Sequence, residues 1–334
     1  MTHIARRRML AGVAAGLLTA SLGVATGSGA ASAESVRPCS VSPLPYPADS
    51  YRASADAIAP TGRFIAGSGL RTSGPVNEPL LLIWEGFRLT TVVSPLAETV
   101  VDVNNDGVVV GYGWVNGFSQ PWRYRDGRVQ PLPVPAGSEG TVVTAINTAG
   151  DVVGHSNLAT TGEFISVIWP AARPGTVEVL DAPAGAMAVG IIDDRTIVGT
   201  AGYLGASTGW IRHPDGRLAE LTMPDSLSTT VNGAGGHWAI GLANQGGSNS
   251  TKVRWDLRTG VGTALDPRLP VVSDVNAAGV VVGGDRLTRG GGSVLLPGGG
   301  TGVGVGARAI ADNGVVVGFR NNDGDVRPIR WIGC

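Results

Sequence analysis

Apolar and polar positions alternate along this chain in a repeating way: a short run rich in valine and isoleucine follows a turn, usually rich in Asn or Asp, and ends in a glycine. Seven such runs close at Gly67, Gly111, Gly154, Gly199, Gly241, Gly283 and Gly318, spaced by 44, 43, 45, 42, 42 and 35 residues. Runs this short, bounded by turn residues, are strands rather than helices. A period of about 40–45 residues built from short strands is that of β-propeller blades, because one four-stranded sheet cannot bury both faces while a ring of sheets can. The pattern predicts an all-β chain, a seven-bladed β-propeller closed by an N-terminal strand, in one domain over residues 34–334.

The second repeat shows the unit most fully. Thr99 to Val103 reads as a first strand, Asn104 to Gly107 as a turn, and Val108 to Tyr112 as a second strand. Gln120 to Arg125 then forms a third strand, and Asp126-Gly127 is a two-residue hairpin turn whose twist suits antiparallel strands. Arg128 to Leu132 carries a proline and suits an edge, where a missing N–H does no harm. A third-strand tryptophan recurs as Trp84, Trp122, Trp169, Trp210, Trp255 and Trp331, with Leu295 or Leu296 expected in its place in repeat 6. One large aromatic per repeat at one place is a packing element between sheets. Trp114 and Trp238 fall outside that pattern.

The two ends complement each other. Val41-Ser-Pro-Leu-Pro-Tyr-Pro47 matches the fourth strand of repeat 2, Val129-Gln-Pro-Leu-Pro-Val-Pro135, at five of seven positions, while the last repeat stops one strand short at Trp331-Ile-Gly-Cys334. The N-terminal segment is therefore expected to complete the last sheet and cover its open edge. The same alignment sets Cys39 and Cys334 on either side of the point where other repeats have their hairpin turn. Two cysteines alone in an exported chain are expected to form a disulfide.

Export is read from residues 1–33: Arg6-Arg-Arg8, an apolar stretch from Met9 to Val24, and Ala31-Ser-Ala33 before Glu34 form a secretory signal peptide. The paired arginines also suit a twin-arginine signal, so the Sec and Tat routes both stay open. No cysteine follows the apolar stretch in a lipoprotein setting. Without the signal the chain has 22 basic and 26 acidic residues and Lys252 as its one lysine. No basic face for nucleic acid is visible, and no membrane span is expected in the mature chain.

The pattern Ala145-Ile-Asn147-x-x-Gly150-x-Val-Val-Gly154, echoed from Asp102 to Gly111 and from Asp274 to Gly283, resembles the HAF repeat of bacterial extracellular proteins. The His-Ala-Phe of that repeat is replaced by stretches such as Leu81-Leu-Ile-Trp84. The resemblance implies a secreted propeller and carries no agreed activity. The Arg/Ala/Gly-rich, nearly lysine-free composition resembles that of high-GC actinobacterial proteins.

Candidate chemistry is sparse. Asp102-Val-Asn104-Asn-Asp106-Gly107 satisfies the opening of a calcium loop, but Gly113 stands where the bidentate Glu belongs, and the same turn in repeats 3 and 6 has no third acid. A structural turn explains it without metal, and no cofactor is implied. Gly205-Ala-Ser207-Thr-Gly209 spells a nucleophile elbow but leads into a strand where a helix is needed. Asp102 and Asp274 are the only carboxylates at their repeat position, late in the first strands. They are either hydrogen-bonded to backbone or available as acid and base, with His155 a third catalytic candidate.

In a propeller the second-to-third-strand loops share one face and the Asn-x-x-Gly turns the other. Binding is expected on the loop face, where lengths vary. Its candidates are Tyr112, Trp114, Tyr203, Asn244, Asp285 and Arg320, beside His155. Three functions follow: a secreted monomeric module that binds a glycan, a cell-wall component, a protein or a small molecule; a secreted lyase, hydrolase or cyclase; or a structural envelope protein.

Overall fold

The computed structural model describes residues 39–73, 76–202, 206–246, 249–298 and 304–334; Tyr203 and the expected signal peptide lie outside them. The described residues are all-β, with no helix among them. None therefore offers a helix long and apolar enough to cross a membrane.

Five separate four-stranded sheets follow one another along the chain: Thr99 to Pro131, Ser138 to Val179, Met187 to Leu221, Ser228 to Ala264 and Asp274 to Leu295. The first and last repeats join in a sixth sheet of nine strands. In it the last repeat supplies Gly304–Ile310, Val316–Asn322 and Asp325–Ile332, and the N-terminal Ser40–Pro43 lies antiparallel on the last of these, with Val41 opposite Trp331. The remaining link is Ser50–Ala53, which pairs with Phe64–Ser73 of the first repeat and meets Asp325–Ile332 at Arg52 and Val326. Cys39 and Cys334 are bonded to each other, as expected from the alignment.

Neighbouring repeats are stitched by side chains of the Asn-x-x-Gly turns. Asn104 Nδ2 donates to the Asn147 carbonyl (3.3 Å), Asn147 Nδ2 to that of Ile192 (3.5 Å) and Asn276 Nδ2 to that of Ala311 (3.1 Å). The last repeat, whose turn reads Ala311-Asp-Asn-Gly314, reaches the first from the third position of that turn, through Asn313 Nδ2 to the Thr61 carbonyl (3.1 Å). Within each turn the asparagine also holds the backbone: Asn104 Oδ1 accepts the N–H groups of Asp106 and Val108, and Gly107 takes φ 75°. This one residue type thus makes the turn and joins it to the next.

The recurring glycines have a steric cause. In repeats 2, 3, 4, 5 and 7 the first strand carries a β-bulge opposite the second strand. In all seven repeats a carbonyl of the first strand, or in repeats 1 and 6 of the segment just before it, lies against the glycine, so that a Cβ there would overlap it; the oxygens belong to Ser54, Thr99, Val142, Met187, Thr230, Val271 and Gly306. A bulge bends its strand and re-aims a side chain, and only glycine leaves room for the displaced carbonyl.

The third-strand tryptophans are buried as expected, but in two registers rather than one. Trp84, Trp169, Trp255 and Trp331 pair two residues before the glycine, and their indole N–H groups donate to the carbonyls of Pro45, Pro133, Thr222 and Pro297 in the preceding outer segment. Trp122 and Trp210 pair with Gly111 and Gly199 themselves, and their Nε1 atoms have no hydrogen-bond partner among the described residues. Trp84 reaches Pro45, just after Ser40–Pro43, as Trp169 reaches Pro133, just after Arg128–Pro131. In repeat 6 neither Leu295 nor Leu296 replaces the ring. Leu295 ends the fourth strand and is exposed, Leu296 follows it and is buried, and the third strand is the short Arg286–Arg289.

Candidate functional site

Two cavities hold residues nominated from the sequence. The larger, about 670 Å³, is lined by first-strand residues of every repeat and by their turns. Its wall includes the residues set inward by the bulges, among them Thr144 and Arg308, with Asp56 alongside in repeat 1. Asp102 and Asp274 occupy the next position, where the other repeats have Ala57, Ala145, Gly190, Gly233 and Ala309.

Asp102 and Asp274 are held alike. Asp102 Oδ1 accepts the Val103 N–H (2.7 Å) and Oδ2 that of Ile146 in the next repeat (2.9 Å). Asp274 accepts from Val275 (2.7 Å) and from Ile310 (2.8 Å). Burial pushes their carboxyls up, to about 6 for Asp102 and about 7 for Asp274, against the pull of those N–H donors; the charge of Asp102 raises Asp274 further. Desolvation and a neighbouring like charge both disfavour the ionised form. Asp56 is also raised by burial, although Ser54, Ser68 and the charge of Arg308 oppose the shift. With both oxygens engaged by backbone, Asp102 and Asp274 act as clamps between repeats, the backbone-bonded alternative of the two the sequence leaves open. Nor do the oxygens of Asp102 and Asn104 converge as in a calcium loop, since they are turned to N–H donors instead.

The smaller cavity, about 260 Å³, lies between repeats 2 and 3 on the side of the second-to-third-strand loops. Trp114, Phe118 and Ser119 border it from a hairpin whose turn, Asn116-Gly117, takes φ 51° and 86°, the left-handed pair that a two-residue hairpin demands. Trp114 is 56% and Phe118 51% exposed, large apolar rings held in water by that hairpin. Repeat 3 contributes Glu139, Val142, His155, Asn157 and Phe164. His155 and Asn157 are two apart on Val152–Leu158 and so project from one side of the strand. The His155 ring stands edge-on to Phe164 at 5.5 Å, and burial lowers its pKa, against a backbone hydrogen bond with Ala188. His155 Nδ1 and Asn157 Oδ1 are buried without a hydrogen-bond partner among the described residues. Buried polar atoms ordinarily have partners, and two orphans in one cavity mark unfilled hydrogen-bonding capacity.

Of the residues nominated from sequence, the structure brings Trp114 and His155 to one cavity. Tyr112, Asn244, Asp285 and Arg320 line neither cavity; Asn244 Oδ1 caps the Gly246 N–H in its own loop (2.8 Å). Trp238 is structural, donating to the Ala277 carbonyl (3.2 Å) beneath the guanidinium of Arg254. Ser207 of the elbow-like motif is buried and precedes the strand Thr208–Arg212. Phe118, Asn157 and Phe164 were not anticipated, although aromatics flanking Asn116-Gly117 were the available signal.

No protein-family model matches the chain, and no curated protein matches it. Among solved structures it is similar to the β-propeller domain of the Trilobed protease from Pyrococcus furiosus, with a TM-score of 0.58 at 9% identity over 86% of this chain and 94% of that one. It is similar also to streptogramin B lyase, with a TM-score of 0.54 at 13% identity over 88% of this chain and 97% of that one. TolB from Acinetobacter baumannii gives 0.50 at 13% identity over 82% of this chain, which spans 64% of that protein. At such identities the likeness concerns fold alone, and the fold is a β-propeller.

Proposed function

We propose that the chain is a secreted module, a seven-bladed propeller of the HAF-repeat type closed by its N-terminal strand in one domain, that binds an extracellular glycan at the cavity between repeats 2 and 3. The observation that carries this reading is the pairing of exposed Trp114 and Phe118 with the unpartnered His155 Nδ1 and Asn157 Oδ1 in one cavity. A sugar offers an apolar C–H face to an aromatic ring and hydroxyls to buried polar atoms, the chemistry these four residues supply together. The Cys39–Cys334 bond supports an oxidising compartment. Binding rather than turnover is favoured because the raised carboxylates are committed to backbone donors elsewhere.

The test is a titration of the mature protein with soluble glucan, chitin and peptidoglycan oligosaccharides, followed by tryptophan fluorescence and calorimetry. One class should bind saturably, and Trp114→Ala and Asn157→Ala should each weaken it about tenfold or more, the loss of an aromatic contact or a buried hydrogen bond. Unchanged melting temperatures in both variants are expected. Binding that survives both substitutions, or no binding by any class, overturns the proposal.

A further inference from the structure

A third cavity, about 370 Å³, lies between repeats 5 and 6 on the side of the Asn-x-x-Gly turns, away from the glycan site proposed above, and reaches Ile310, Gly314 and Cys334 of repeat 7. Its origin is in the register of the third strands. Val282 pairs with Leu287, and the Val281 N–H donates to Thr288 Oγ1 (2.8 Å). Thr288 is thus the residue opposite the position two before the repeat glycine, the place that Trp84, Trp169, Trp255 and Trp331 fill in four other repeats. Those indoles bury themselves against the outer segment of the preceding repeat. Around Thr288 the corresponding wall is present, formed by Thr263, Ala264, Leu265 and Asp266 of repeat 5, but no ring fills the space before it.

The remaining lining is suited to a ring. Leu287 and Val280 supply apolar surface. Arg254, fixed by a hydrogen bond to the Gly279 carbonyl and stacked on Trp238 at 4.2 Å, borders the cavity with its Nε buried and unpartnered among the described residues. Asp266 closes another side, its carboxylate held by Arg268 and by the Ser293 N–H (2.6 Å). The volume falls within the roughly 300–1,000 Å³ of small-molecule sites.

From this we infer that repeat 6 carries a second binding site, one that accepts a free planar aromatic molecule of indole size in the place where the fold elsewhere puts its own tryptophan. The fold itself is the template: four times the same sheet geometry closes on an indole, and here it is left open beside a threonine.

The test uses indole as the probe and the mature, disulfide-bonded protein. Equilibrium dialysis and protein NMR should show uptake of about one indole per chain with a Kd below about 1 mM, and shifts at Thr263, Leu265 and Thr288. Thr288→Trp should fill the cavity from within, abolish uptake and raise the melting temperature. Thr288→Phe, a smaller ring, should weaken uptake at least tenfold and decides the matter if the tryptophan variant does not fold. N-acetyl-tryptophanamide should compete poorly, since the site is assigned to a free ring and not to a peptide side chain. Absence of saturable uptake up to about 10 mM, indole binding undiminished by Thr288→Phe, or full competition by N-acetyl-tryptophanamide overturns the inference.

Discussion

At the scale of single residues, two kinds of glycine must be separated. Gly154 is needed because the Val142 carbonyl occupies the space of its side chain, whereas Gly127 is needed only for its φ of 81°, with nothing within 4 Å of its Cβ position. Gly154→Ala should cost about 3 kcal/mol or more through backbone overlap. Gly127→Ala should cost only about 1–2 kcal/mol for the left-handed conformation. Urea denaturation of both variants checks the contrast. The repeated glycine was plain in the sequence, but its cause was not, since a carbonyl displaced by a bulge leaves no mark on residue type. The clamps Asp102 and Asp274 yield a second expectation. Their folded pKa values, about 6 and 7, lie above the ordinary carboxylate value near 4, so the native state binds these protons more tightly than the unfolded chain. Their contribution should therefore fall as pH rises from about 4 to about 7 and then level off. Unfolding free energies of the wild type and of Asp102→Asn/Asp274→Asn, measured at pH 4.5 and 7.5, should show the wild type losing ground to the variant with rising pH. A difference that does not vary with pH would contradict this account.

Among the elements, strand identity was legible and strand register was not. Valine runs, Asn-x-x-Gly and Asp-Gly turns located the strands of repeat 2 to within three residues at every end, because each signal is local. Whether a tryptophan lies opposite the glycine or two residues before it depends on where the third strand begins to pair, which no residue type announces. The cavity beside Thr288 follows from that same register and was hidden for the same reason. In the candidate glycan site Trp114 and His155 were foreseen as residues of the variable loop face, while Asn157 and Phe164 depend on which residues the paired strands bring alongside. The N-terminal strand is the element most open to test. Cys334→Ser removes a cross-link between residues 295 apart, for which chain entropy gives about 5 kcal/mol before native-state strain reduces it. Its denaturation midpoint should drop accordingly. Hydrogen exchange should then quicken first where Ser40–Pro43 lies on the strand ending at Ile332. Protection unchanged in that segment would show the strand to be held by its hydrogen bonds alone.

For the molecule as a whole, sheets that touch mainly their neighbours make stability a sum of repeats and interfaces. The contacts that run from the turns of repeats 2, 3 and 6 to the next, and from Asn313 back to Thr61, tie those terms together. One unfolding transition is therefore expected by calorimetry while the disulfide is intact, and separate transitions for different repeats would speak against the coupling. The joining of the two ends also bears on how the chain is made. Cys39 and the strand Ser40–Pro43 precede their partners by nearly three hundred residues, Cys39 and Cys334 being 295 apart. Most repeats can gather from neighbouring segments, but the first segment stays unpaired, with its thiol unbonded, until the residues around Trp331 and Cys334 are present. A product cut short before Ile329 keeps both the bare strand and the free thiol, and so differs chemically from a chain that reaches Cys334.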